Sequence, residues 1–286
     1  MSLRPASIAP FLAGLDDPQP YQGRPSAGSV PHNLAARTRQ PLYAHEITQR
    51  VRVAKGMQRR IQMLRNRGDS VLCPVCGRCF ERFKADRNRP NALCWRCGSH
   101  ERHRAQWLLL ERRHGLLADS GSLLHFAPEW ALQRRLERID HLNYVTADLM
   151  QADVDLRLDI TALELPDESF DAVICSHVLE HVADDAAAMR ELRRITAAGG
   201  WCLVMVPLDL GCEHTYEDPS VVSASDRERL FGQHDHVRMY APDIGERLTA
   251  AGFDVERIRP VEEFGAVIVQ RCRLLEADEI WLCRPQ

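Results

Sequence analysis

Apolar positions along the 286-residue chain change period several times, and each change predicts an element. From Leu123 onward, short apolar runs alternate with stretches of helical spacing. Leu123–Phe126, Asn143–Ala147, Ala172–Cys175 and Trp201–Val206 read as buried strands. Between them, Leu132, Leu136 and Ile139 form one helical stripe, and Leu179, Val182, Ala186, Met189, Leu192 and Ile195 form another. Asp243–Ala251 predicts a helix, Phe253–Ile258 a strand and Glu279–Cys283 a final strand. Strands that alternate with helices build βαβ units, so the pattern predicts a doubly wound, mostly parallel α/β sheet with an antiparallel end. Residues 208–240 show no regular period and predict a long loop rich in His, Asp and Glu; loops of that length usually carry function.

The chain before Leu123 reads differently. Residues 1–43 are rich in Pro, Ser, Gly and Arg and predict a disordered arm. Ile47, Val51, Ala54, Met57, Ile61 and Leu64 then recur at steps of three and four, which predicts a basic amphipathic helix over 44–66. Arg50, Arg52, Lys55, Arg59, Arg60 and Arg65 fall on its other faces. Such a helix either packs on its own protein with a solvated basic surface or faces the phosphates of a nucleic acid. A further helix over 101–118 is expected to link this region to the α/β domain at 120–286.

Composition narrows the class. At 45% hydrophobic and 27% charged residues, the chain is ordinary globular material. No stretch approaches the ~18 consecutive apolar residues of a spanning helix, so no membrane contact is expected. The N-terminus lacks an apolar leader region, and a cytoplasmic location is the expectation. Net charge is −3, yet residues 1–121 carry 21 Lys+Arg against 9 Asp+Glu, while the remainder carry 16 against 31. That asymmetry implies two parts that attract one another, or a basic half suited to an acidic partner.

Cysteine spacing carries the first chemistry. Cys73-Pro-Val-Cys76 and Cys94-Trp-Arg-Cys97 are two Cys-x-x-Cys pairs separated by seventeen residues, the spacing of a four-cysteine zinc site. Gly77 and Gly98 follow each second cysteine and suit the turn that brings amides to the sulfurs. A site closed by four thiolates is structural, so residues 71–100 predict a small zinc ribbon. Cys94→Ser is expected to unfold that module and spare the α/β domain. Cys175, Cys202 and Cys283 lie in apolar runs and read as buried hydrophobes.

Open parallel sheets bind ligands at the carboxyl ends of their strands, which directs attention to the residues after each predicted strand. These are His125-Phe126-Ala127-Pro128-Glu129, then Ala147-Asp148-Leu149, then Arg157-Leu158-Asp159-Ile160-Thr161, and finally Ser176-His177-Val178-Leu179-Glu180-His181. Asp148 stands where ribose hydroxyls would be met, and Asp159 beside Ile160 suits the edge and face of an adenine.

This order resembles class I S-adenosylmethionine-dependent methyltransferases over about residues 120–286. The stretch Leu165-Pro166-Asp167-Glu168-Ser169-Phe170-Asp171-Ala172-Val173-Ile174-Cys175-Ser176-His177-Val178-Leu179-Glu180-His181-Val182 resembles the family's passage from the loop before the fourth strand into the next helix. Ile195-Thr196-Ala197-Ala198-Gly199-Gly200 resembles the turn before the fifth strand. The cysteine module followed by Gly98-Ser99-His100-Glu101-Arg102-His103-Arg104 resembles a zinc-ribbon-bearing subgroup of bacterial members. The resemblance implies a seven-stranded Rossmann-like sheet and S-adenosylmethionine as cofactor. His125, Phe126, Ala127, Glu129, Asp148, Leu149, Asp159, Ile160, Ser176 and His177 would line the cofactor, with Glu129 meeting the amino group of its methionine part.

One departure matters. The family's first loop normally carries glycines, and here it carries none. Either the loop is a variant that still cradles the cofactor, or the fold is a non-catalytic scaffold whose zinc module recruits a partner.

For a base, histidine is suited to neutral pH. The resemblance places His177 at the strand end nearest the transferred methyl, with His181 one helical turn further on. His236 lies in a segment that resembles the region closing over the site. His214 and His234 are secondary candidates, and Asp209 and Tyr216 would orient an acceptor. The expected activity is methyl transfer to an acceptor, with a small metabolite favoured over RNA or protein.

Overall fold

The computed structural model describes residues 57–286. The arm over 1–43 and the first part of the basic helix lie outside the described residues. What is described of that helix, α1, covers residues 57–65. The stripe does not mark its inner face: Met57, Ile61 and Leu64 are exposed, and Met63 is the residue packed against the core.

The cysteine module consists of two antiparallel pairs, β1 (Val71–Cys73) with β2 (Arg78–Phe80) and β3 (Lys84–Asp86) with β4 (Arg89–Leu93). The expected single helix over 101–118 is two helices, α2 (Glu101–Arg112) and α3 (Gly115–Ala118). Nor is α2 a linker. Nine of its residues are buried, among them Trp107, Leu109 and Leu110.

The sheet begins with β5 (Ser122–Phe126), α4 (Trp130–Leu136), β6 (Asn143–Asp148) and β7 (Leu156–Arg157). Next come β8 (Phe170–Ser176), a 3-10 turn at Leu179–His181, α5 (Asp185–Ile195) and β9 (Thr196–Met205). The apolar stripe from Leu179 to Ile195 therefore spans a turn and a helix, because Asp184 caps α5 by accepting from Ala187 N at 2.8 Å. His181 sits in the turn, not on a helix.

The span 208–240 is not one irregular loop. It holds β10 (Tyr216–Glu217), α6 (Ala224–Phe231) and β11 (Arg238–Met239). Ser223 caps α6 at its start and Gly232, at φ 83°, ends it. Beyond these lie α7 (Ile244–Ala250), β12 (Phe253–Ile258), α8 (Pro260–Phe264), α9 (Ala266–Cys272) and β13 (Ile280–Pro285).

Seven strands form one sheet in the order β12-β13-β9-β8-β5-β6-β7, with β13 antiparallel to both neighbours and the other pairs parallel. This is a Rossmann-like architecture, doubly wound and mostly parallel. Side chains alternate between its two faces as the pleat requires. Leu123, Ala172, Ile174, Trp201, Leu203, Ile280 and Leu282 face a layer made of α2, α4, α9 and the cysteine module. Leu124, Val173, Cys175, Cys202, Val204, Trp281 and Cys283 face the layer of α5 and α7. Gly200 is needed where β9 crosses β8, since a Cβ there would meet Asp171 O at 2.4 Å.

The cysteine module shares the first layer's core. Val71, Phe80 and Phe83 belong to the same buried cluster as Leu123 and Trp201. This shared core argues against the expectation that the module unfolds alone, since its apolar side chains are buried in the layer that α2 and α9 also form.

Candidate functional site

Strand order reverses at β5, whose sequence neighbour β6 lies on one side and β8 on the other. The crevice outside the carboxyl ends of β5 and β8 is thus the switch point of the sheet, where ligands bind in open α/β folds. Both strands leave the sheet through a residue in left-handed backbone, Ala127 at φ 46° and His177 at φ 56°. Their amides are tied to neighbouring strands: Ala127 N donates to Ala147 O and His177 N to Met205 O, each at 2.8 Å. Such conformations cost non-glycine residues on the order of 1 kcal/mol and concentrate at functional sites. The backbone that glycine would favour is therefore reached here by alanine.

His125 is fully buried, with Nδ1 2.9 Å from Tyr144 Oη and Nε2 3.3 Å from Glu129 Oε2. Glu129 also lies 3.2 Å from His103 Nε2 and 3.5 Å from Arg102 Nε, both on α2. Burial by itself would raise the Glu129 carboxyl, but the two imidazoles hold it well below the usual carboxylate range. His103 Nδ1 accepts from His100 N at 3.2 Å, which puts its proton on Nε2, 3.2 Å from Glu129 Oε1 without hydrogen-bond alignment. On the next strand, Ser176 Oγ accepts from Gln106 Nε2 at 2.9 Å. The helix that follows the cysteine module thus braces both strand ends.

Asp148 ends β6, and its carboxylate accepts from Met150 N, Gln151 N and Gln151 Nε2 at 2.6, 2.8 and 3.0 Å. Leu149 beside it is exposed. Asp159 is exposed and accepts from Thr161 N and Oγ1, and these hydrogen bonds lower its carboxyl. Ile160 is buried in the second core layer. Phe126 is buried in that layer as well.

His177, His181 and His236 do come together, around a residue that the sequence reading passed over as a site group. Glu180 in the 3-10 turn is 1% exposed, and neither carboxylate oxygen has a hydrogen-bond partner. His177 Nδ1 lies 3.2 Å from Glu180 Oε1 without hydrogen-bond alignment. The His181 and His236 rings meet edge to face with centroids 4.7 Å apart. His181 Nδ1 is 3.3 Å from Asp235 Oδ2, and His236 Nδ1 is 2.9 Å from Phe231 O. Burial pushes the His236 imidazole below its ordinary value, so the ring is neutral at pH 7.

Arg238 explains the meeting. Its guanidinium donates to the carbonyls of Leu179, Val182 and Ala183, and Val237 N donates to Glu180 O at 2.9 Å. The segment carrying His236 is thereby fastened to the turn carrying Glu180 and His181. Asp278, before β13, lies close enough to His177 for their charges to interact, and burial raises its carboxyl to about 6. No local signal in the sequence marks Asp278. The remaining candidates lie apart from this cluster: His214 and His234 are exposed, Tyr216 packs on Phe231, and Asp209 accepts from Gly211 N.

Cys73, Cys76, Cys94 and Cys97 converge, their sulfurs all within 4.8 Å of one another. Cys73 Sγ lies 3.5 Å from Cys97 Sγ and Cys76 Sγ 3.6 Å from Cys94 Sγ. Tetrahedral coordination with Zn–S of about 2.3 Å needs sulfur edges of about 3.8 Å, so the donor set fits zinc. The two turns are alike: Gly77 N donates to Cys73 O and Gly98 N to Cys94 O, with both glycines at positive φ. Ser99 Oγ stands 3.1 Å from Cys73 Sγ and 3.3 Å from Cys97 Sγ. Burial drives the Cys73 thiol upward, which a bound cation would reverse.

Residues 128–204, from the loop after β5 through most of β9, match a family model described as a methyltransferase domain. Solved structures of similar architecture include an S-adenosylmethionine-dependent methyltransferase from Mesorhizobium loti, at 18% identity and TM-score 0.42, covering 63% of this chain and 96% of that one. The YcgJ protein of Bacillus subtilis aligns at 14% identity and TM-score 0.41, covering 64% and 99%. A SAM-dependent methyltransferase from Archaeoglobus fulgidus aligns at 12% identity and TM-score 0.44, covering 65% and 95%. No curated protein matches the chain.

Proposed function

We propose that the protein transfers a methyl group from S-adenosylmethionine to an acceptor bound at the carboxyl ends of β5 and β8. The observation that carries this reading is the methyltransferase-domain match over residues 128–204, which includes the end of β8 and, from the loop after β5, Pro128 and Glu129. The cofactor supplies the reactive sulfonium, and the protein supplies alignment and, for an oxygen or nitrogen acceptor, removal of a proton. Asp148 would hold the ribose, Asp159 with Leu149 and Ile160 the adenine, and the loop His125–Glu129 with Ser176 the methionine part. Ala127 in left-handed backbone supports a loop that cradles ligand without glycine. His177 is the favoured base.

A zinc ion held by Cys73, Cys76, Cys94 and Cys97 would be structural. The favoured acceptor is a small molecule, because much of the basic charge in the N-terminal half is used internally. Arg113 pairs with Glu256 at 2.7 Å and Glu263 at 2.9 Å, while Arg102 reaches Glu129.

Calorimetric titration with S-adenosylhomocysteine tests the reading, with Asp148→Ala as control. Binding in the micromolar range that is lost in the control is expected. Absence of binding to folded, zinc-loaded protein would overturn it and favour a non-catalytic scaffold.

A further inference from the structure

A buried carboxylate with no hydrogen-bond partner is among the most costly arrangements a fold can hold. Glu180 is in that state, and two imidazoles stand beside it. One ligand atom from each of Glu180, His181 and His236 lies within 4.8 Å of the others. Each histidine also has its second nitrogen engaged. His181 Nδ1 faces Asp235, and His236 Nδ1 donates to Phe231 O, which puts the proton on Nδ1 and leaves the Nε2 lone pair free. Carboxylate and carbonyl partners behind metal-binding histidines set tautomer and ring orientation in this way. Arg238 holds the two chain segments in register through the carbonyls around Glu180.

We propose that Glu180, His181 and His236 form a site for a divalent first-row transition-metal ion, distinct from the four-cysteine site. One carboxylate and two imidazoles suit Mn²⁺, Fe²⁺, Co²⁺ or Zn²⁺, whereas the thiolate cage selects softer ions. A cation there satisfies both oxygens of Glu180. Three protein ligands leave coordination positions open, the pattern of sites that act on a bound oxygen group rather than of closed structural ones. His177, with Nδ1 3.2 Å from Glu180 Oε1, stands at the edge of the site, between it and the strand end where the cofactor is proposed to bind. The inference thus deepens the methyl-transfer reading and concerns an oxygen-bearing acceptor.

The full chain with its cysteine site zinc-loaded is titrated with Mn²⁺, followed by loss of the free-ion electron paramagnetic resonance signal, and separately with Co²⁺, followed by visible absorption. One bound ion per chain is expected, with a Co²⁺ spectrum lacking thiolate charge-transfer bands. Glu180→Gln and His181→Asn should each weaken binding by tenfold or more, and Asp235→Asn by about tenfold. His181 is partly exposed, so its variant keeps the test sound if the Glu180 variant does not fold. Failure of both ions to bind wild-type protein, or equal binding by wild type and both variants, would overturn the proposal. S-adenosylhomocysteine binding measured on the same samples separates the two readings. If it is retained without metal binding, only the metal site falls; if both are lost, the methyl-transfer reading falls with it.

Discussion

His103 shows how one buried side chain couples the cysteine module's helix to the strand ends. Its ring is held between His100, Arg102 and Glu129, and burial pushes its imidazole below the ordinary value near 6.5. The folded protein keeps the ring neutral where the unfolded chain would protonate it. Stability from this residue is therefore present above about pH 6.5 and declines as pH falls below it. Glu129 adds a loss of the same sign lower down, since its carboxyl is held below the usual range. Chemical denaturation of wild type from pH 7.5 to 5.5 is expected to show falling stability, and His103→Gln a flatter profile. Parallel profiles would contradict the assignment. Such residues are poorly legible in the sequence, where His103 is one polar position on a helix expected only as a link. The burial that gives it a role comes from α2 lying on the sheet.

Among the elements, α2 does most to join the parts, through Arg104. This side chain is fully buried. Its Nε donates to Cys272 O at 2.7 Å, Nη1 to Ala92 O and Ser99 O at 2.8 Å, and Nη2 to Arg273 O at 2.8 Å. Its guanidinium also lies over the Phe83 ring, 4.5 Å from the centroid. One residue thus binds β4, the second cysteine turn and the end of α9. Arg104→Leu would leave four carbonyls without these donors, at about 1–3 kcal/mol for each one that water cannot reach. A loss of about 3–5 kcal/mol in unfolding free energy is expected; a change below about 1 kcal/mol would show that the carbonyls find other partners. The long strands of the main sheet were legible: Phe253–Ile258 agrees at both ends, and Leu123–Phe126 and Ala172–Cys175 agree to within two residues. The α6 helix was missed although Ser223 and Gly232 mark its ends, because its short polar sequence has little apolar period.

At the scale of the whole molecule, the cysteine module and one face of the sheet contribute to a single buried cluster. Val71, Phe80 and Phe83 are each nearly fully buried in the core layer they share with α2 and α9. Exposing one such side chain costs roughly 1.5–3 kcal/mol, and a domain's net stability is only about 5–15 kcal/mol. Losing the module would remove much of that margin. Cys94→Ser, or chelation of the zinc proposed at the four cysteines, is therefore expected to lower the thermal midpoint of the entire chain in a single transition. Separate melting of the module, with the sheet transition unchanged, would show that the shared core contributes little. The charge division read in the sequence has its counterpart here in pairs such as Arg113 with Glu256 and Arg102 with Glu129, which bridge the two halves.

Local pattern was enough for several features of this protein. Short apolar runs, cysteine spacing, the turn glycines and the Ser176–Val182 segment all act over a few residues, so the sequence by itself determined the buried strands of the main sheet, the four-cysteine module and the strand end bearing His177. It did not determine which distant residues meet. His236 reaches Glu180 and His181 only because Arg238 fits the carbonyls of the turn, and Glu129 meets His103 only because α2 crosses the ends of β5 and β8. Those contacts depend on chain register and on which surfaces are covered together, quantities set by packing between segments far apart in the chain.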